Sequence, residues 1–328
     1  MNKLLSISIA AYNAENFLDT ALATITSDEV VDELQIIVVN DGSKDCTKEV
    51  AEAWQKKFPD SVIVINKENG GYGSTINSAI KVASGKYFKL LDADDCYDTR
   101  ELLKLLNFLK TNESDLVITD YYKCQDSLDN RAVVKTLNLE YDSLQPVTIL
   151  PTIDIMHALV VKTDILKKWK ENYLISEHCF YTDLEYCTKA ILSSKNFIYK
   201  DFKIYCYLIG REGQSVSLDG RVKHINDHER VVKLVSKELL IADEKMECRK
   251  MLYEIIRGHV LYYSLCVKPT RKNLKTFIAF RDFVVHEVPY PRKEYAPIKK
   301  YLKHPRIFYL PKCFFNRTMN SLRKLIKR

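Results

Sequence analysis

Apolar runs and amphipathic stretches alternate along the chain up to Asp120. Runs such as Leu34–Val39 are continuous and rich in Ile and Val, which is typical of strands buried on both faces. The alternation predicts parallel strands joined by crossover helices, and hence a doubly wound α/β sheet. The predicted strands are Leu4–Ala10, Leu34–Val39, Ser61–Ile65, Lys86–Leu91 and Asp115–Thr119, and the predicted helices are Ala14–Thr26, Thr47–Phe58, Tyr72–Ala83 and Arg100–Lys110.

The pattern changes after Asp120 and again near Ser217. The middle of the chain predicts a short antiparallel portion of sheet and one more helix, and the remainder has apolar residues at helical spacing. We therefore expect a sheet domain over residues 1–217 and a helical region over residues 218–328. The predicted strands here are 131–139, 147–150, 157–162 and 197–208, and the predicted helices are 183–193, 222–240, 245–267 and 274–286.

Composition adds limits on class and location. Of the 328 residues, 46% are hydrophobic and 28% are charged, which excludes wholesale disorder. The net charge of +7 suits an anionic ligand or surface without choosing among them. The nine scattered cysteines, with no signal peptide before them, indicate free thiols in the cytoplasm. No apolar run reaches the roughly 18–20 residues that span a bilayer.

The tail from Lys293 mixes basic residues with aromatic ones such as Tyr301 and Phe308. This mixture suits contact with the inner face of an anionic membrane, and a solvated tail explains it equally well. We expect no nucleic-acid partner, because no recognition module precedes the tail.

Polar or glycine-rich turns follow four predicted strands, whose carboxyl ends share the sheet edge where such folds bind ligands. Asp92, Asp94 and Asp95 follow the fourth strand. Clustered carboxylates repel one another unless a cation offsets their charge. Oxygen ligands suit Mg²⁺ or Mn²⁺, which typically bridge carboxylates to a diphosphate. The position after a buried strand favours a metal site over a solvated acidic turn.

The other strand ends are individually less specific. After the first strand, Ala11 and Tyr12 could admit and stack a planar base, or the chain could simply enter a helix capped by Asn13. After the second, Asp41 could accept a hydrogen bond from uracil or ribose, or form a tight turn. The glycines between residues 70 and 73 let backbone N–H groups meet an anion at a helix N-terminus. Their spacing disfavours a Rossmann dehydrogenase.

Four motifs in this order resemble glycosyltransferase family 2. The resemblance is strong over residues 1–120, continues to about residue 217 and ends there. It implies the GT-A fold, which is a Rossmann-like doubly wound sheet, mostly parallel with a short antiparallel portion. The motifs are Ile7–Asn13, Val39–Ser43, Asn69–Gly71 and Leu91–Asp95.

The resemblance implies roles for the motif residues. Tyr12 and Asp41 would hold the uracil of a UDP-sugar. Asp92 and Asp94 would form the D-x-D element that binds Mn²⁺ or Mg²⁺, with Asp92 also near the ribose. Asp95 would lie near the donor sugar. The donor pocket would be completed by Ala11, Gly71 and Asn77.

Family members mostly invert the anomeric centre with a carboxylate base at the start of a helix. Asp183 is the candidate here, although Thr182 stands where Glu is commoner, and Glu177 is the nearest rival. A carboxylate favoured by the helix macrodipole is the alternative explanation of Asp183. Arg211 could reach a phosphate from a closing loop, or lie in an exposed one.

We therefore expect a metal-dependent glycosyltransferase that moves a hexose or N-acetylhexosamine to a glycan or lipid-linked acceptor in cell-surface polysaccharide synthesis. A nucleotidyltransferase would need a glycine-rich turn after the first strand, and Ala11, Tyr12 and Asn13 do not provide one. A non-catalytic glycan-binding protein would have lost a metal aspartate or the base. The sequence leaves open the sugar, linkage and oligomeric state, whether His224 or His228 joins the metal, and whether His157 and His178 contact acceptor or pack.

Overall fold

The structure is a computed structural model of the chain, and it describes residues 3–125, 127–137, 143–151, 156–169, 173–210, 218–242, 248–288 and 296–308. The chain divides into two compact units, Met1–Arg211 and Glu212–Arg328. The predicted boundary between residues 217 and 218 adjoins a segment outside the described residues, and it stays a prediction.

A mixed sheet forms the first unit. Its strands are β1 (Leu5–Ala11), β2 (Leu34–Asp41), β3 (Val62–Lys67), β4 (Tyr87–Asp92), β5 (Cys96–Tyr97), β6 (Leu116–Gln125), β7 (Arg131–Val134), β8 (Gln145–Pro146), β9 (Leu159–Lys162) and β10 (Asn196–Ile209). The spatial order is β3-β2-β1-β4-β9-β6-β10-β5, with β7 beside β6 and β8 beside β10.

Parallel pairing dominates the half of the sheet that carries the predicted strand ends. Strands β3, β2, β1 and β4 are parallel neighbours, and β9 then runs antiparallel between β4 and β6. All eight residues of β2 are buried, as a continuous apolar run requires. The predicted fold class, a mostly parallel sheet with a short antiparallel part, is confirmed.

Helices pack around this sheet. They are α1 (Leu18–Ala23), α2 (Thr47–Lys57), α3 (Tyr72–Val82), α4 (Thr99–Leu109), α5 (Thr163–Lys167) and α6 (Thr182–Leu192). The first is shorter than predicted, because the N–H groups of Ala14 and Glu15 donate to the side chains of Thr47, the first residue of α2, and of Asp45 before it instead of opening a helix.

The strand predicted over residues 147–150 is wrong. The pairing with β10 stops after Pro146, and Val147–Ile149 form a 3₁₀ turn. Proline cannot donate to a strand ladder, so it commonly marks the place where pairing ends.

The strand register brings the predicted chemistry to one edge. Because β1 lies between β2 and β4, Ala11 pairs with Asn40 and Ala10 pairs with Asp92. On the far side of β2, Asp41 pairs with Lys67 of β3. The carboxyl ends of four neighbouring strands therefore lie at one edge of the sheet.

The second unit is helical, as predicted. Its helices are α7 (Leu218–Lys223), α8 (Ile225–Ala242), α9 (Cys248–Cys266), α10 (Arg271–Glu287), α11 (Ala296–Lys303) and α12 (Pro305–Phe308). Its core is aromatic: the ring of Phe277 lies 5.0 Å from Tyr263 and 4.6 Å from Tyr301. Within the described part of the chain, every helix is too short or too polar to cross a bilayer.

A pair of histidines lies inside this unit. The Nδ1 atoms of His228 and His259 are 2.7 Å apart, so one ring donates to the other. Burial, and then the charge of Arg221, lower the pKa of His228 to about 4. Burial also holds the pKa of His259 well below its ordinary value, helped by His228 and Lys233. Glu229 is the facing acid, with an oxygen 3.9 Å from Nε2 of His259.

This pair predicts acid lability of the helical unit. Between pH 6.5 and about 4 the unfolded histidines bind protons that the folded pair excludes, so stability falls as pH falls. For His228 the loss reaches about 3 kcal/mol at the lower end. Thermal unfolding followed by circular dichroism at each pH measures it.

Two variants test whether His228 and His259 cause this loss of stability at low pH. His286 is exposed on α10, and His286→Gln should leave the pH profile unchanged. The double variant His228→Gln/His259→Phe should flatten the profile. A natural chain whose unfolding midpoint stays constant across this window would contradict the prediction.

Candidate functional site

The acidic turn after β4 is held by hydroxyl groups from two other elements. The Tyr205 hydroxyl of β10 accepts from the N–H of Asp92 at 3.1 Å and donates to Asp95 at 2.8 Å. Asp95, which is 3% exposed, also accepts from the N–H of Leu208 at 2.7 Å. From α3, the Tyr72 hydroxyl donates to Asp92 at 2.7 Å. Sequence reasoning missed both tyrosines, because nothing in their local pattern points to the turn.

The electrostatics of this turn reflect crowded negative charge. Burial, and then the charge of Asp94, raise the pKa of Asp92 to about 7, and Asp183 adds to the effect. Burial, with the charges of Asp92 and Asp94, raises the pKa of Asp95 to about 8. Like charges in a partly buried site disfavour ionisation unless a cation compensates. Hard carboxylate oxygens are the ligands that Mg²⁺ and Mn²⁺ prefer, so these residues fit the predicted ion.

His157 joins two of these carboxylates. One ligand atom each from Asp92, Asp95 and His157 lie within 4.8 Å of one another. The imidazole packs edge-on against Tyr205, with ring centroids 4.6 Å apart, and lies 4.4 Å from the ring of Tyr207. Burial, and then the charge of Lys89, lower the pKa of His157 to about 3. Sequence reasoning considered His157 only for acceptor contact or packing.

Lys89 supports the same region from inside the sheet. Its side chain is fully buried, and its ammonium donates to the carbonyl of His157 at 2.7 Å. Burial lowers the pKa of Lys89 to about 7. A lysine inside the apolar run of β4 was the sequence signal for this contact, and it was missed.

Asp41 lies at the predicted edge, and its carboxylate organises the glycine turn. One oxygen accepts from Lys67 at 2.8 Å and from the N–H of Gly70 at 2.9 Å, and the other accepts from Gly71 at 2.8 Å. Gly71 has φ of 81° immediately before α3, a conformation that favours glycine. The N–H groups of Gly70 and Gly71, which were expected to meet an anion, therefore donate to the Asp41 carboxylate. The contact of Asp41 with a base stays a prediction.

The end of β1 places Ala11 in the core and Tyr12 at the surface, where 54% of it is exposed. Asn13 has φ of 51°, and α1 begins only at Leu18, so Asn13 is not a helix cap. The exposed ring of Tyr12 remains accessible for stacking.

Reciprocal bonds join the loop after β1 to the loop after β2. The N–H of Lys44 donates to the Asn13 side chain at 2.8 Å. The N–H of Glu15 donates to the Asp45 carboxylate at 3.1 Å, and the N–H of Cys46 donates back to the Glu15 carboxylate at 2.9 Å. The two loops that flank the edge therefore hold each other.

Asn77 is buried beneath the segment that precedes α6. Its side chain donates to the carbonyl of Ile175 at 2.9 Å and accepts from the N–H of Ile175 at 2.9 Å. It also donates at 3.2 Å to the carboxylate of Glu177, the rival base, which is exposed. The N–H of His178 donates to the carbonyl of Gly70 at 2.6 Å. This network ties the segment to the glycine turn.

An internal ion pair anchors the same segment to α6. Glu185 and Lys189 are both buried, with 2.7 Å between their charged atoms. Glu185 also accepts from the N–H of Ser176 at 3.1 Å, and Lys189 donates to the carbonyl of Leu174 at 2.8 Å. A buried pair needs such extra hydrogen bonds to offset its desolvation. The start of α6 is therefore rigidly positioned.

Asp183 lies in the first turn of α6 and is partly exposed. Its charge contributes to the raised pKa values of both Asp92 and Tyr72, so it is within electrostatic range of the acidic turn. The structure thus brings the candidate base and the D-x-D turn to one site, while their catalytic roles remain predictions.

Two other expectations about this site stay untested. Arg211 lies outside the described residues. His224 belongs to the second unit, where its Nδ1 lies 3.3 Å from a carboxylate oxygen of Asp227.

Residues 6–168 match the model of Glycosyl transferase family 2. A Poly(ribitol-phosphate) beta-glucosyltransferase of Bacillus spizizenii is 27% identical over 65% of this chain and 33% of its own length. An uncharacterised glycosyltransferase of Rickettsia typhi is 25% identical over 89% of this chain and 92% of its own. The chain therefore spans a third of one relative and nearly all of another.

A solved structure has a similar fold over most of this chain. A crystal structure of S. aureus TarS 1-349 in complex with UDP-GlcNAc has a TM-score of 0.71 with 21% identity, covering 93% of this chain and 88% of that one. This likeness places the chain in the GT-A fold.

The two hydrogen bonds of the Tyr205 hydroxyl predict a specific effect of removing its oxygen. Tyr205→Phe leaves the N–H of Asp92 and the Asp95 carboxylate without this partner, so the free energy of unfolding should fall by about 1–3 kcal/mol. The pKa of Asp95 should rise, because its bond from Tyr205 favours the charged form. Denaturant unfolding and a carbon-13 NMR titration measure the two effects.

Tyr199→Phe is the matched control. Tyr199 is also on β10, and its hydroxyl donates to both oxygens of Asp120 at 2.9 Å. Its loss should cost similar stability and leave the titration of Asp95 unchanged. Equal titration curves for Asp95 in both variants would contradict the assigned role of Tyr205.

Proposed function

Since the chain belongs to glycosyltransferase family 2, we propose that it transfers a hexose or N-acetylhexosamine from a UDP-sugar to a glycan or lipid-linked acceptor of the cell surface. The observation that carries the proposal is that Asp41 and the Asp92–Asp95 turn lie at one sheet edge, with Asp183 of α6 near enough for its charge to raise the pKa of Asp92. The similarity to TarS with UDP-GlcNAc and to a Poly(ribitol-phosphate) beta-glucosyltransferase supports a UDP-sugar donor and a cell-wall polymer as acceptor.

The nucleotide would bind across the ends of β1 and β2. The exposed ring of Tyr12 offers a face for stacking, and small Ala11 lets a planar base approach the backbone. Asp41 orients the glycine turn through Gly71 and also offers a carboxylate to uracil. The Asp92 carboxylate would accept a hydrogen bond from a ribose hydroxyl. Asp95, which is held by hydrogen bonds from Tyr205 and Leu208, would face the donor sugar.

Asp92 and Asp94 would hold Mn²⁺ or Mg²⁺ beside the diphosphate. When bound, this cation would stabilise the negative charge that grows on the leaving diphosphate. The Tyr72 and Tyr205 hydroxyls keep the turn in position, which reduces the reorganisation needed during reaction.

Asp183 would act as general base. An acceptor hydroxyl has a high pKa and must lose its proton as it attacks the anomeric carbon. The fixed start of α6 would aim the Asp183 carboxylate at that proton. Attack from the face opposite the diphosphate inverts the anomeric centre.

Helix α11 supports peripheral contact with an anionic membrane, where a lipid-linked acceptor would reside. It buries Ile298 and Tyr301 and exposes Lys299, Lys300 and Lys303. An exposed row of lysines adds attraction to acidic lipids. Tyr301 packs in the core of the helical unit. Residues 309–328, which include the last basic side chains, lie outside the described residues.

A donor screen tests the function directly. We expect release of UDP from one UDP-sugar in the presence of Mn²⁺ or Mg²⁺, faster with a wall-polymer acceptor, and loss of this release after chelation. Chromatographic detection of UDP measures it. Absence of UDP release with every UDP-hexose and UDP-N-acetylhexosamine would contradict the proposal, and binding without turnover would indicate a glycan-binding protein.

Replacing the base separates chemistry from donor binding. Asp183→Asn should lower kcat by about 100- to 10,000-fold while UDP binding persists, because the amide cannot take the proton. Asp164→Asn is the matched control, since Asp164 is an exposed carboxylate in the first turn of α5. Retention of full kcat by the Asp183 variant would move the base to Glu177.

A further inference from the structure

Two carboxylates and one imidazole converge at the floor of the proposed donor site. Asp92 and Asp95 come from the turn after β4, whereas His157 comes from the short 3₁₀ turn Met156–Ala158 before β9. Ligand atoms of these three side chains lie within 4.8 Å of one another, a separation that one ion can bridge. Elements far apart in sequence thus supply a mixed oxygen and nitrogen donor set.

We propose that His157 is a ligand of the divalent cation, together with Asp92 and Asp95, and that its nitrogen makes the site favour Mn²⁺ over Mg²⁺. The inference rests on the proposed metal-dependent function. It adds two ligands, His157 and Asp95, to the aspartates Asp92 and Asp94 of the D-x-D element, so that Asp95 would face the ion as well as the donor sugar.

The imidazole is held in a fixed orientation by its neighbours. Tyr121 stacks on it at 5.3 Å, Tyr205 meets it edge-on at 4.6 Å, and Tyr207 lies at 4.4 Å. The backbone carbonyl of His157 accepts from buried Lys89 at 2.7 Å. A ring fixed on several sides and at its backbone needs little reorganisation to bind an ion.

The carboxylates can bind an ion without giving up their present bonds. Each carboxylate has about four lone-pair sites, so it can accept hydrogen bonds and coordinate at once. The Tyr72 and Tyr205 hydroxyls fix Asp92 and Asp95, as outer partners of metal ligands commonly do. Asp94 lies on the same turn and adds negative charge beside them.

The donor set decides between the two ions. Mg²⁺ strongly prefers oxygen ligands in octahedral geometry and keeps several waters. Mn²⁺ also binds carboxylate oxygen, but it belongs to the first-row transition metals, which bind sites with mixed nitrogen and oxygen ligands. A site with only Asp92, Asp94 and Asp95 would discriminate less.

The test uses the chain of 328 residues, stripped of metal with a chelator and titrated with Mn²⁺ alone and with Mn²⁺ plus UDP. Electron paramagnetic resonance counts bound Mn²⁺, and pulsed measurements on protein labelled with nitrogen-15 histidine detect a histidine nitrogen on the ion. We expect this coupling in the natural chain. His157→Gln should abolish it, weaken Mn²⁺ binding by about tenfold or more and reduce the preference for Mn²⁺ over Mg²⁺.

His157→Phe is the second variant, because it keeps an aromatic ring between the tyrosines and removes both nitrogens. It should lose the coupling while circular dichroism and the unfolding midpoint stay near those of the natural chain. His286→Gln, on an exposed face of α10, should keep both the coupling and the affinity.

The outcomes separate this inference from the proposed function. Release of UDP from a UDP-sugar by the same samples, with no histidine coupling or with unchanged Mn²⁺ affinity in both His157 variants, would overturn the ligand assignment alone. Coupling that persists in His157→Gln would assign the nitrogen to another histidine and also overturn it. A natural chain that binds no Mn²⁺ with or without UDP would overturn both proposals.

Discussion

Asp92, Asp94 and Asp95 repel one another within one short turn at the end of β4. The fold tolerates this repulsion because hydroxyl and N–H donors from other elements reach the turn: Tyr72 from α3, and Tyr205 with Leu208 from β10. A carboxylate in a partly buried site costs free energy without such partners. The acidic turn therefore depends on the positions of α3 and of the long strand β10, and the fold must bring both elements to the end of β4.

Much of the edge could be predicted from sequence, because its logic is local. Continuous apolar runs mark buried strands, and parallel strands must end on the same side. The residues directly after those runs, Asp41 and Asp92 among them, are consequently near one another. The glycine before α3 is also a local signal, since a left-handed backbone favours glycine.

The partners of these residues were not predictable, because each comes from a distant part of the chain. His157 and Tyr205 have no spacing that relates them to the acidic turn, and only the antiparallel insertion of β9 between β4 and β6 brings His157 there. The amide of Asn77 holds Ile175, a partner that no sequence pattern indicated, and its place in the donor pocket stays a prediction. Sequence patterns indicate which face of an element is buried, but not which partner a buried polar group will find.

The cross-bonded loops after β1 and β2 have a consequence for how this chain can change over generations. Asn13 and Glu15 on one side are matched to backbone and side-chain groups of residues 44–46 on the other. An insertion or exchange in either loop leaves its counterpart with broken bonds, so the two loops must be altered jointly or not at all. Variation in nucleotide preference should then be sought at Tyr12, whose side chain projects outward from this interlocked pair.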